Sequence, residues 1–176
     1  MTRLSRASWF SSAWKSGWLV HSARIAIGAT SSFAVARLSG MPEAYWASIT
    51  TLIVLQSTLG AAWEASKPRF IGTALGASLA GLLATYVEQG MIAFGAAIFA
   101  LGLICAVLHL DQTAYRFAGI TLTIVMLVPR GIAPWLVAAH RFVEVSLGIA
   151  VALALTSLWP GQELASGEKP GESPRR

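Results

Sequence analysis

Four polar residues in otherwise apolar surroundings, Arg24, Gln56, Arg69 and Thr73, could together hold an organic anion. A guanidinium presents a planar fork that takes a carboxylate in two parallel hydrogen bonds, which lysine cannot reproduce. Arg69 and Thr73 are four apart, so a helix puts them on one face. Gln56 closes the apolar run before Arg69, and Arg24 lies roughly two turns inside another, where a cation is expensive unless paired or hydrated. An anion site there has Arg69 opening its helix, where free N–H groups and the dipole add to its charge. It also has all four residues at similar depth on the cytoplasmic side. The competing reading is plainer. Arg69 snorkels to the headgroups as an orientation signal, and Gln56, Ser57 and Thr58 make only interhelical hydrogen bonds.

Arg141 and Glu144 are a second polar pair, spaced i, i+3. They make either an intrahelical ion pair or part of a water-lined outer vestibule. His109 and Asp111 are too few for a metal site, and His21 and His140 stand alone. No nucleophile–base pair, phosphate-binding glycine loop or zinc spacing occurs, so neither an enzyme nor a cofactor is expected. Cys105 is the single cysteine, which excludes a disulfide framework.

The elements that must position these residues are apolar and long. Of 176 residues, 55% are hydrophobic and 12% charged, about half the charge of an ordinary soluble domain. Six runs approach the ~20 residues that cross a bilayer, at roughly 18–39, 44–62, 68–87, 91–109, 114–129 and 134–158. The expected fold is therefore all-α: a polytopic membrane protein with six transmembrane helices arranged as three hairpins. Glu64, Lys67, Pro68 and Arg69 read as the turn between the second and third spans, and Pro129 to Pro134 punctuate the fifth and sixth. Tyr45, Trp46, Trp135 and Trp159 fall at span ends, as an interfacial aromatic belt does. Residues 1–17 read as a basic, aromatic, cytoplasmic amphipathic segment, with Phe10, Trp14 and Trp18 on one face. A signal peptide cleaved after Ala34-Val35-Ala36 competes, but His21 and Arg24 interrupt its core. Residues 160–176 read as a disordered cytoplasmic tail.

The net charge of +5 sits mostly beside the spans, which points to orientation and anionic lipid, not to nucleic acid. Placing both termini in the cytoplasm puts Arg3, Arg6, Lys15, Arg24, Lys67, Arg69, Arg116, Lys169, Arg175 and Arg176 inside. Only Arg37, Arg130 and Arg141 then lie outside. Small residues at i, i+4 steps mark close helix packing, with Gly28 in the first span and Gly72, Gly76 and Gly81 in the third. The Gly72, Gly76, Ala80 ladder is expected against Gly28 and Ser32. A loose repeat joins Arg24 and Gly28, Arg69 and Gly72, and Arg116 and Gly119.

Tyr45-Trp46, Ile49-Thr50, Gln56-Ser57-Thr58 and Arg69-x-x-Gly72-Thr73-x-x-Gly76 resemble the membrane domain of the fusaric acid resistance and aromatic acid exporter (FUSC) family. Tyr115-Arg116 and Arg141-x-x-Glu144-x-x-x-Gly148 add to the likeness, which covers about residues 18–158. The resemblance implies a six-helix domain over 18–159 in a bacterial inner membrane, related to exporters of small aromatic carboxylic acids. Those exporters are longer, often with a second membrane domain. A homo-oligomer and a periplasmic adaptor subunit are the partners expected on that basis. The alternative is a non-transporting scaffold or regulatory subunit.

Overall fold

The computed structural model describes residues 18–87, 90–129 and 131–159. The expected amphipathic segment and the tail beyond Trp159 lie outside the described residues. The helices are α1 (Trp18–Leu38), α2 (Tyr45–Val54), α3 (Leu59–Tyr86), α4 (Met91–Val107), α5 (Gln112–Leu127) and α6 (Pro134–Leu158). No strand occurs among the described residues. Of these helices, α1 and α6 are each long and apolar enough to cross a membrane.

Contacts fix the directions. Gly28 lies beside Thr51 and Leu55 while the Ser48 hydroxyl donates to the Ala29 carbonyl, so α1 and α2 are antiparallel. Gly72 meets Ala114 and Gly76 meets Ala118, so α3 and α5 run together. Gly81 lies beside Trp135 and Ala138, and Phe70 beside Phe142, so α6 runs against α3. Gly102 and Ile98 meet Tyr115 and Gly119, setting α4 against α5. Successive helices therefore alternate in direction. They do not pack as three consecutive pairs. The main seams join α3 to α5 and α6, and α2 to α6 and α1.

The expected turn is displaced. The second apolar run stops being helical at Val54, and the chain reverses over Leu55–Thr58. Thr58 is extended, and its hydroxyl accepts from the Ala61 amide at 3.2 Å, which caps α3. Helix-forming residues then carry α3 straight through Glu64, Lys67, Pro68 and Arg69. Pro68 sits inside the helix, and Lys67 and Glu64 form an exposed 2.6 Å pair on its outer side. α2 is left with ten residues, about 15 Å, against 28 residues and about 42 Å for α3.

Burial is inverted relative to a protein made for water. Arg24 and Arg141 are the largest fully buried side chains, and alanines dominate the core. Met91, Ile92, Phe99, Val107 and Leu158 are exposed. Small residues and charges inside with large apolar ones outside is the arrangement that lipid favours.

Candidate functional site

Three buried arginines from three helices converge on α2 and the turn that follows it. α1 supplies the first. Its buried stripe is Arg24, Gly28, Ser32 and Ala36, spaced four apart, and Gly28 lets α2 and Leu155 of α6 approach closely. Arg24 is 1% exposed. Its Nη2 donates to the Gln56 carbonyl at 2.7 Å and to the Thr156 hydroxyl at 3.0 Å. The Thr156 hydroxyl in turn donates to the Ala152 carbonyl at 2.8 Å. The guanidinium thus stands at the C-terminal end of α2, where unpaired carbonyls and the helix dipole favour a cation. It also satisfies irregular backbone that lipid could not.

α3 supplies the second. Arg69 is 5% exposed, and its Nε donates to the Thr50 hydroxyl at 3.1 Å. Its guanidinium carbon lies 4.7 Å from the centre of the Phe117 ring on α5, a cation–π contact. Thr50 donates onward to the Trp46 carbonyl at 2.9 Å. Thr73 is buried one turn beyond Arg69 on the same helix.

α6 supplies the third. The Arg141 guanidinium lies 3.6 Å from the Trp46 ring centroid, and its Nη1 is 3.6 Å from Glu144 Oε2. Glu144 Oε1 accepts from the Glu43 amide at 3.0 Å. One turn on, Gly148 lets α6 close on α2. A Cβ there would lie 2.6 Å from the Cβ of Thr50, and the Thr51 hydroxyl reaches the Gly148 carbonyl at 3.0 Å.

This geometry changes the expected site. Arg69 does not open a helix. It lies ten residues past Leu59, about 15 Å along α3. Arg24 meets the turn after α2, Arg69 the middle of α2 and Arg141 its start, so the arginines are stacked along α2 and not gathered at one mouth. The Gln56 side chain faces outward, with its amide 3.4 Å from the Ile53 carbonyl. Only its backbone carbonyl joins the site. Arg141 and Glu144 are 2% and 0% exposed, so they do not line a vestibule. A cavity of about 350 Å³ bounded by Glu43, His140, Val137 and Ile132 opens beside them instead.

The Gly72 and Gly76 ladder meets Ala114 and Ala118 of α5, not α1, and Gly81 meets α6. Trp46 lies under Arg141, so it is not free for the aromatic belt. Arg116, the third member of the loose repeat, is exposed. Thr156 gives no signal in the sequence, and Thr50 stands out only through the Ile49-Thr50 motif, because a threonine in an apolar helix ordinarily bonds its own helix, as both also do here.

The match to known proteins agrees with this inverted, helical arrangement. The family model described as fusaric acid resistance protein-like matches residues 9–155. The chain belongs to that family. Over 151 residues it is 30% identical to the inner membrane protein YeeA of Escherichia coli strain K12, which takes in 81% of this chain and 41% of YeeA. The chain therefore spans less than half the length of that relative. No solved structure matches it. The fusaric acid resistance-like assignment makes this chain a membrane protein, with an inner-membrane relative.

Proposed function

We propose that this chain is a membrane-embedded transport unit for small organic anions, aromatic carboxylates among them, in the inner membrane. The observation that supports this is the pair Arg24 and Arg69. Both are buried, and among the described residues neither has a carboxylate partner. A buried cation without a counter-charge is costly, and a bound anion would offset that cost. The alternating helices suit six crossings with both termini cytoplasmic, and the apolar exterior suits lipid. In this reading the chain performs no enzymatic step and works as a homo-oligomer, with a periplasmic adaptor subunit as a further partner.

The test is efflux of a panel of aromatic acids from a deletion strain and from its complemented counterpart. Complementation should restore efflux. Arg24→Lys and Arg69→Lys should insert normally and reduce it. The second reading is a non-transporting scaffold. It is favoured by the fact that both guanidiniums already bond protein groups, Gln56 and Thr156 for Arg24 and Thr50 for Arg69. If both lysine variants transport at the wild-type rate with unchanged affinity, the arginines are orientation or packing residues and the anion site is lost as an explanation.

A further inference from the structure

We propose that Arg24, and not Arg69, takes the cargo carboxylate, and that the carboxylate does so by displacing the Gln56 backbone carbonyl and so releasing the α2–α3 turn. The inference rests on the anion-transport reading above and adds to it which arginine binds and what binding moves.

The two guanidiniums differ at the edge that matters. In arginine, Nε–H and Nη2 lie on one side of the planar group, and that side meets both oxygens of a carboxylate at once. In Arg69 this edge is engaged, because Nε donates to Thr50, and Phe117 covers a face. In Arg24, Nη2 is bonded, but Nε is buried with no hydrogen-bond partner. A buried donor left unpaired costs about 1–3 kcal/mol. A carboxylate would fill it with one oxygen and take Nη2 with the other. Thr156 could stay in place, since its hydroxyl is also held by the Ala152 carbonyl. With Thr156 kept on one Nη2 hydrogen, the group that yields the other is the Gln56 carbonyl, at 2.7 Å on the same nitrogen.

That carbonyl belongs to the chain reversal between α2 and α3. The Gln56 and Thr58 side chains on the turn are exposed, and Ser57 is half-buried. The turn is therefore the thin cover between Arg24 and the surroundings. The same hydrogen bond closes the site and holds the cover. A charged oxygen competes with a neutral carbonyl for a guanidinium because charge-assisted bonds are roughly twice as strong. An uncharged aromatic amide lacks that advantage.

The experiment uses the full chain with Cys105→Ser and Ser57→Cys, reconstituted in vesicles. Maleimide alkylation of residue 57 is timed with benzoate, with benzamide and with neither, and benzoate uptake is measured in parallel. Benzoate should raise the alkylation rate several-fold and benzamide should not. This comparison needs no change at Arg24. Arg24→Lys, with its fold checked by thermal unfolding, should abolish the rise and weaken benzoate binding about 10- to 100-fold. Arg69→Lys should keep the rise. Benzoate uptake without any change in alkylation overturns the release of the turn and leaves the transport reading standing. A rise that persists in Arg24→Lys overturns the assignment to Arg24. Absence of both uptake and the alkylation response overturns this inference and the transport reading together.

Discussion

The seam between α3 and α5 and the sheath around α2 both bring helices close, but by different contacts. In the seam, Gly72 and Gly76 lie against the backbone of Ala114 and Ala118, and Ala77, Ala80, Leu122 and Val125 complete an apolar core. A side chain added at either glycine meets main chain, which cannot swing aside. Around α2 the contacts are hydrogen bonds from Arg24 and Arg69, a cation–π stack from Arg141, and two glycines, Gly28 facing side chains and Gly148 facing the Ala47 carbonyl and the Thr50 side chain. Each of those bonds can be exchanged for another of the same kind. Dispersion packing offers no substitute partner. The seam has the character of a fixed frame, and the sheath that of a replaceable set of ligands.

Substitutions can break or sharpen this contrast. The largest effect is expected at Gly76. Gly76→Leu drives a branched side chain into the Ala118 backbone and should cost about 3 kcal/mol, the upper end of the overpacking range. The readouts are thermal stability in detergent and folded abundance in the membrane. Wild-type values would mean that the seam opens.

Next comes Arg69→Lys, which loses the Nε bond to Thr50 and the planar contact with Phe117. It should cost about 1–2 kcal/mol while insertion stays normal. Smaller again is Gly28→Ala, whose new methyl would meet Leu155 Cδ2 at 3.0 Å and Thr51 Cγ2 at 3.3 Å. The leucine end can rotate away, so a loss under about 1 kcal/mol is expected. A Gly28→Ala loss as large as that at Gly76 would erase the distinction between seam and sheath. The smallest effect belongs to Lys67→Ala, which removes an exposed i, i+3 pair with Glu64 and should change stability by about 0–0.5 kcal/mol. A large loss there would mean that this stretch is a structured turn after all.

Periodicity made part of this readable from residues alone. Arg24, Gly28, Ser32 and Ala36 share a face because they are four apart, and that face is the buried one. The small residues of α3 likewise mark its packing face. Which helix each face meets is a tertiary fact that spacing does not encode: the residues alone suggest α1 for Gly76, and the structure has α5. Lys67-Pro68-Arg69 looks like punctuation in the sequence, yet the helix runs through it. The stronger local signal was Thr58 before Leu59–Ala65, a hydroxyl cap leading into good helix formers. Trp46 resembled a belt residue because its position near a span end was visible, whereas the guanidinium stacked on it comes from α6, 95 residues later.

Pro68 has a mechanical consequence. It carries no N–H, so α3 lacks the bond that would reach back to the Glu64 carbonyl, one residue before Arg69. The backbone is a single helix from Leu59 to Tyr86, but its bending stiffness is lowest at that gap. Beyond it, Gly72 and Gly76 clamp the helix to α5; before it, the segment follows directly on the α2–α3 turn and buries only the small residues Ala62 and Ser66. α3 is therefore a lever with a built-in pivot. Its short arm can tilt with the turn while its long arm stays bolted to the frame, and Arg69 rides beside the pivot.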